Sequence, residues 1–296
     1  MSKKAVIFPG QGSQKVGMAK DHYDQNSDFK AMADRANEIL GYSLTDVMFE
    51  GPEETLRQTE HTQPAIFLHS VALFKTLDIK PDAVAGHSLG EFSALVGCGA
   101  IEFEDALKIV RKRGQLMQQA GTQNPGTMAA VIGMEDDKVA EICMQASEGE
   151  NDTVVPANFN CPGQLVISGH ETAIDRALVL LKENGCRIAR KLPVSGAFHS
   201  PLMQPALDGL RAELENLSIS KPFCPVYSNY TAEATTDPEE IRSNLLNQLL
   251  NPVRWTQTLQ NMHAAGIETF VETGPGSVLQ GLVKRTLKGV ETSGNE

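Results

Sequence analysis

Short apolar runs that end in Pro or Gly alternate along this chain with longer segments whose apolar positions recur every three or four residues. The first pattern signals strands and the second helices, so the chain is expected to be an α/β protein. Residues 5–8 read as a buried strand stopped by Pro9-Gly10, and 83–86 as another, followed by a helix from about Ser88. A helix is expected from near Pro64 to about Leu77, with the proline in its first turn. Another covers about 102–119, its opening turn carrying Glu102, Glu104 and Asp105 as the helix dipole favours.

The order changes in the middle of the chain. Residues 127–132 read as a strand, 136–146 as a helix, 153–159 as a strand, and 165–168, after the Cys161-Pro162-Gly163 turn, as another. A helix over 171–184 and a strand over 186–191 complete a βαββαβ unit of ferredoxin-like type. Asn124-Pro125-Gly126 and Leu192-Pro193 mark its borders. The expected organisation is a discontinuous core, 1–123 and 196–296, holding an inserted subdomain over 124–195. After it come a helix near 202–216, a strand near Val226, helices near 239–249 and 255–265, a strand over 267–271 and a final helix from about Ser277. Residues 291–296 read as a frayed end.

Composition narrows the class. The 296 residues suffice for one large domain or two unequal ones. No run of about 18 apolar residues occurs, so no membrane span is expected. The basic start is followed by too short an apolar run for a signal peptide. Five cysteines, with no CxxC or Cys/His metal spacing, read as free thiols in a reducing cytosol, so the protein is expected to be cytoplasmic and to hold no metal. A net charge of −11 argues against general nucleic-acid binding, which needs a basic face.

Candidate chemistry begins at Gly86-His87-Ser88-Leu89-Gly90, a GxSxG pentapeptide between a strand and a helix. Glycines let the chain turn sharply, expose the Ser88 hydroxyl at the helix N-terminus, and aim the Leu89 N–H at any oxyanion formed there. The alternative is a chance turn. A nucleophilic serine needs a base. His22 and His263 lie in polar contexts, His69 in an apolar helix, and His87 is fixed in the turn with its ring away from the hydroxyl. His199, in the small-residue loop Ser195-Gly196-Ala197-Phe198-His199-Ser200-Pro201, is the candidate. No acidic residue between 190 and 205 obviously orients it, so a distant acid or a backbone carbonyl is needed.

Two further features stand out. Gln11 lies between two glycines on a loop at the end of the first strand, where α/β folds place ligand groups, although a plain turn would look the same. Arg113 falls on the apolar stripe of its helix with Ala106, Val110 and Met117, whereas Arg111 and Lys112 fall off it. A buried guanidinium keeps its charge and needs an anion, either a structural salt-bridge partner or a substrate carboxylate held in bidentate geometry.

Taken together, FPGQGSQ (8–14), GHSLGE (86–91), Arg113-Gly114 with Met117, GAFH (196–199), NPVRW (251–255) and Gly274-Pro275-Gly276 resemble the malonyl-CoA:acyl-carrier-protein transacylase family and the acyltransferase domains of polyketide synthases. The match runs in order from about residue 4 to 285. The resemblance implies a hydrolase-like parallel-sheet core with the inserted ferredoxin-like subdomain. It implies Ser88 as nucleophile, His199 as base, and the N–H groups of Gln11 and Leu89 as oxyanion hole. Arg113 would bind the malonyl carboxylate, and the Gln248 carbonyl would orient His199. An aromatic at Phe198 resembles the malonyl-selective type, and Met117 would help line the acyl site.

The implied partners are malonyl-CoA and acyl carrier protein, with the coenzyme A thioester a substrate and no cofactor required. The chain is expected to act as a monomer. Carrier proteins are acidic, so docking on this acidic chain needs a local basic patch, for which Arg187, Arg190 and Lys191, or Lys284, Arg285 and Lys288, are candidates. A serine acyl-thioesterase would share Ser88 and His199 without needing Arg113. A free-standing acyltransferase serving a polyketide synthase would share every motif. A carrier-binding module without catalysis would need none of them together.

Overall fold

The computed structural model describes residues 2–296. Its described strands are β1 (Lys3–Phe8), β2 (Ala83–Gly86), β3 (Thr127–Ile132), β4 (Val154–Cys161), β5 (Gln164–Gly169), β6 (Ile188–Lys191), β7 (Val226–Tyr227), β8 (Ala234–Thr235), β9 (Ile267–Thr273) and β10 (Glu291–Asn295). They form two sheets, one of six strands in the order β10-β9-β1-β2-β7-β8 and one of four in the order β4-β5-β3-β6. The larger sheet is parallel except for the short antiparallel pair β7–β8.

The run from Ala5 to Phe8 makes the middle of this sheet because it is apolar on both faces, as a parallel strand covered by helices requires. Val6 and Phe8 enter one core cluster with the helices Thr59–Thr76 and Phe103–Gln123. Ala5 and Ile7 enter another on the opposite face, with Trp255, Leu259 and Phe270. The smaller sheet is antiparallel and packs the helices Asp136–Ala146 and Glu171–Glu183 into a third cluster of its own. Its chain order is the βαββαβ of the sequence pattern. Main-chain bonds tie the smaller sheet to the segment that precedes the helix Trp255–Ala264. Val253 N–H donates to Ala157 and Phe159 N–H donates to Val253, both at 2.9 Å, so the 251–255 segment lies along β4.

Several expectations are corrected. Residues 291–296 are not frayed, because 291–295 form β10 and pair in parallel with β9. Glu-Thr-Ser-Gly-Asn has no apolar alternation to betray a strand, since its pairing rests on the backbone ladder and on end contacts from Lys15 and His22 to Glu296. The helix expected at Pro64 begins at Thr59, which puts the proline inside it. The helix expected from Ser88 begins at Gly90. The helices Lys20–Gln25, Ser27–Leu40, Leu44–Phe49 and Glu53–Arg57 fill a stretch for which the pattern gave no element.

Pro64 is tolerated for an identifiable reason. Proline has no N–H, so the carbonyl of Glu60, four residues earlier, loses its helical partner. Arg111 fills the vacancy: its Nη1 donates to that carbonyl at 2.7 Å, and its Nη2 lies 3.3 Å from the Glu60 carboxylate. Replacing Arg111 with Ala should therefore destabilise the fold by about 1–3 kcal/mol in urea unfolding. Adding Pro64→Ala restores a donor at that carbonyl and should regain part of the loss; no recovery would mean that the carbonyl is not the cause.

Candidate active site

β1 and β2 are in register from Ala5 opposite Ala83 to Phe8 opposite Gly86, so both strands end at one level and the loops after them emerge side by side. This brings Gln11 next to Ser88. Ser88 has φ 51°, a left-handed conformation that a serine holds only under constraint. The constraint is close packing of the turn. A Cβ on Gly86 would lie 1.9 Å from the carbonyl carbon of Gly90, and one on Gly90 would lie 2.2 Å from the Phe8 oxygen. Only glycine allows strand and helix to approach this closely.

Asn229, in the loop after β7, fastens the turn. Its Oδ1 accepts from Ser88 N–H at 2.6 Å and its Nδ2 donates to the Gly86 carbonyl at 2.6 Å. Its own N–H donates to Glu91 Oε2 at 3.1 Å.

His199 also has a left-handed backbone, with φ 55°. Its Nε2 lies 2.8 Å from Ser88 Oγ. Its Nδ1 lies 3.0 Å from the Gln248 carbonyl and 3.2 Å from that of Asn251. Carbonyls only accept, so the proton of the neutral ring sits on Nδ1 and leaves Nε2 to accept from the serine hydroxyl. Burial, and then the charge of Arg113 beside it, pushes His199 down to about 3, which keeps the ring neutral.

Arg113 is 1% exposed. Its Nη1 donates to Gln63 Oε1 at 2.8 Å, and its Nη2 to Gln248 Oε1 at 3.0 Å and Ser88 Oγ at 3.1 Å. All three acceptors are neutral, and Arg113 makes no ion pair among the described residues. The structural salt bridge considered for it is absent there. Burial lowers the guanidinium to about 10, still charged at neutral pH.

These groups face a cavity of about 140 Å³ whose walls include Met128, Asn158 and Val166 of the smaller sheet, with Met117 and Phe198 as apolar walls. Gln11 and Leu89 line it as well, and neither of their N–H groups donates a hydrogen bond among the described residues. A groove of about 790 Å³ adjoins it through Gln11, Leu192 and Val194. Ser88, His199, Arg113, Gln11, Leu89, Gln248, Phe198 and Met117 are thus brought together.

The other histidines lie apart from this proton path. His87 points to Asn160 Oδ1 at 2.9 Å, and His69 is buried without a partner and pushed down to about 3. His22, expected to be solvated, instead lies 2.8 Å from the Glu296 carbonyl and stacks on Phe29. Three residues of the site, Gln63, Glu91 and Asn229, were not singled out from the sequence. For Glu91 a signal existed, a carboxylate inside the apolar helix Gly90–Gly97. Among the described residues no acidic, His or Cys cluster could hold a metal, and no helix is long and apolar enough to cross a membrane. The five cysteines are unpaired.

A strand-turn-helix serine, a neutral histidine against its hydroxyl and two free N–H groups beside it define a site for acyl transfer through a serine. Consistent with that class, the chain matches the acyl transferase domain family over residues 6–295, and it belongs to that family. Within it, the chain is 44% identical to a malonyl CoA-acyl carrier protein transacylase of Bacillus subtilis over 295 residues, 99% of this chain and 93% of that protein. A crystal structure of an acyl carrier protein S-malonyltransferase from Vibrio cholerae superposes with a TM-score of 0.95 at 47% identity, covering 99% of this chain and 97% of the other. A malonyl-transacylase in complex with its type II polyketide synthase acyl-carrier protein matches with a TM-score of 0.95 at 39% identity, over 99% and 96% of the two chains.

Asn229 offers a test of how the turn is held. Asn229→Ala leaves the Ser88 N–H and the Gly86 carbonyl without partners, at roughly 1–3 kcal/mol each. The midpoint of urea unfolding should fall accordingly; a loss below about 1 kcal/mol would mean that the turn does not rely on this side chain.

Proposed function

We propose that the protein moves a malonyl group from coenzyme A to the phosphopantetheine thiol of acyl carrier protein, through an ester on Ser88. The observation that carries the reading is the buried Arg113 guanidinium, bonded only to neutral acceptors and 3.1 Å from Ser88 Oγ. An acyl group bearing a free carboxylate supplies the missing anion. A thioesterase acting on uncharged acyl chains has no use for such a charge.

In this reading His199 takes the Ser88 proton at Nε2 as Oγ attacks the thioester carbonyl. The oxyanion is met by the N–H groups of Gln11 and Leu89. The Gln248 carbonyl holds the ring in the tautomer with the proton on Nδ1, and accepts a stronger bond once the ring is cationic. The proton then passes to the departing coenzyme A sulfur. The carrier thiol reverses the sequence, giving up its proton to His199 and attacking the malonyl-serine ester. A substrate carboxylate on Arg113 also cancels part of the charge that keeps His199 a weak base, so the base strengthens when the correct acyl group is bound.

Phe198 and Met117 limit the space beside the acyl group, and the groove along Leu192 and Val194 admits the pantetheine arm. The coenzyme A thioester is a substrate, the chemistry uses no cofactor, and the compartment is the cytoplasm. We read 124–195 as the inserted unit that closes the acyl cavity over Ser88. Arg187 and Arg190 of one candidate docking cluster and Lys284 and Lys288 of the other are exposed, whereas Lys191 is engaged by Asp175 at 2.8 Å and Arg285 by Gln164.

Mass spectrometry after incubation with malonyl-CoA tests the reading. Wild type should carry one malonyl group on Ser88, Ser88→Ala none, and His199→Ala should acquire it several orders of magnitude more slowly. An adduct forming normally on Ser88→Ala would sink the assignment. Selectivity is a separate test. Arg113→Ala should lose about ten- to several-hundred-fold in kcat/KM with malonyl-CoA, from a charge-assisted pair of roughly 1.5–3 kcal/mol, and much less with acetyl-CoA. Equal losses on the two substrates would exclude the carboxylate clamp.

A further inference from the structure

Glu91 has no part in the chemistry above, yet it is the group on which the site converges. It sits in the first turn of the helix Gly90–Gly97 and is 3% exposed. Its Oε2 accepts from Gln248 Nε2 at 2.8 Å and from the Asn229 N–H at 3.1 Å. Asn229 in turn holds the Ser88 N–H. Gln248 also donates to the Ser88 carbonyl at 3.0 Å, accepts from Arg113 through its side chain, and accepts from His199 through its main chain. A single carboxylate oxygen therefore anchors the nucleophile's amide on one side and the arginine and the base's carbonyl on the other.

Both bonds fall on Oε2, and Oε1 accepts none among the described residues. Both donors are N–H groups that can only donate. A proton can therefore sit on Oε1 without breaking either bond, so the scaffold is compatible with both the charged and the neutral carboxyl. The charged group acting on Glu91 is Arg113, on the helix packed against its own. The two histidines of the site, His87 and His199, are kept neutral, chiefly by burial.

We propose that Glu91 is a positioning residue that serves, through the Gln248 amide, as counter-ion to Arg113 in the unloaded enzyme, and takes up a proton from solvent when a substrate carboxylate occupies the guanidinium. The inference rests on the malonyl-transfer reading. Two buried carboxylates beside one guanidinium carry an excess negative charge, and neutralising one of them relieves it. The substrate acid is too strong to take the proton, whereas burial already raises Glu91 to about 7 against the bonds from Gln248 and Asn229 and the charge of Arg113.

The sign of the pH dependence follows. Below about 7 Glu91 is already protonated, so binding a malonyl group takes up no proton. Above that value it is charged in the free enzyme and must be neutralised, so malonyl affinity falls as pH rises, at most about tenfold per unit. Acetyl-CoA shares the coenzyme A moiety but lacks the carboxylate, so dividing by its KM cancels the titration of everything common to the two substrates.

The experiment measures KM for malonyl-CoA and acetyl-CoA from pH 6 to 9, with an indicator dye recording proton uptake on malonylation at pH 8. In wild type the malonyl-to-acetyl KM ratio should be flat at the acid end and rise above about pH 7, accompanied by up to one proton per malonyl-Ser88 formed. Glu91→Gln reproduces the protonated shape and can keep both accepted bonds on its amide oxygen. It should show a flat ratio, a lower malonyl KM at high pH and no uptake. A slope that survives in Glu91→Gln, or a flat ratio in wild type, overturns the proposal. Should Glu91→Gln fail to fold, infrared difference spectroscopy of wild type at pH 8 decides: malonylation should raise a carboxylic C=O band that shifts in D₂O, and its absence overturns the proposal. Mass spectrometry of the same samples keeps the two readings apart. A malonyl-Ser88 adduct without proton uptake removes only the role of Glu91, whereas no adduct removes the transfer reading and this inference with it.

Discussion

A guanidinium taken almost wholly out of water and bonded directly to no carboxylate among the described residues sets the terms for everything near it. Desolvating such a charge is expensive, and arginine cannot escape by releasing its proton. The chain answers with dipoles: the side-chain oxygens of Gln63 and Gln248 and the hydroxyl of Ser88 point at Arg113. Burial first and this charge second keep His199 neutral, and the same charge favours the ionised form of Glu91 against the burial that raises it. The charge thus biases the protonation states of the site before any substrate arrives, and in the proposed function it selects the acyl group that completes the site.

The fold explains how these groups meet. The parallel sheet delivers Gln11 and Ser88 at one level because β1 and β2 end together. The antiparallel sheet contributes walls from β3, β4 and β5. The 251–255 segment lies along β4, its Arg254 N–H reaches the Asn229 carbonyl in the loop after β7, and its Asn251 carbonyl reaches the His199 ring. A shift of one sheet against the other would therefore move His199 relative to Ser88, which makes those main-chain bonds as important to the geometry as the side chains.

Much of this was legible in the sequence, for physical reasons. The parallel core and the βαββαβ unit announced themselves through apolar runs and turn residues, since buried strands and helix faces need them. Arg113 stood out because a charge on an apolar stripe is costly. Glu91 carries the same signal, at the end of GHSLGE and inside the apolar helix Gly90–Gly97. Asn229 and Gln63 carried none: an amide in a loop or on a helix looks alike whether it faces water or a buried charge. β10 stayed hidden because a polar edge strand rests on backbone pairing that leaves no trace in side-chain pattern. Pro64 misplaced a helix start because the residue that makes its interior position tolerable, Arg111, lies on a different helix.

Gln248 has a dual character that bears on how this site can vary. Its side chain bridges Arg113, Glu91 and the Ser88 carbonyl, while its main chain orients His199. Point mutation alters only the former. The Nδ1-protonated tautomer of His199 is therefore held by a peptide carbonyl, which every amino acid supplies, and genetic drift at position 248 cannot delete that oxygen directly. Selection at that codon acts on the amide, leaving the carbonyl as a silent partner that only chemical synthesis, exchanging the peptide for an ester, would weaken as an acceptor.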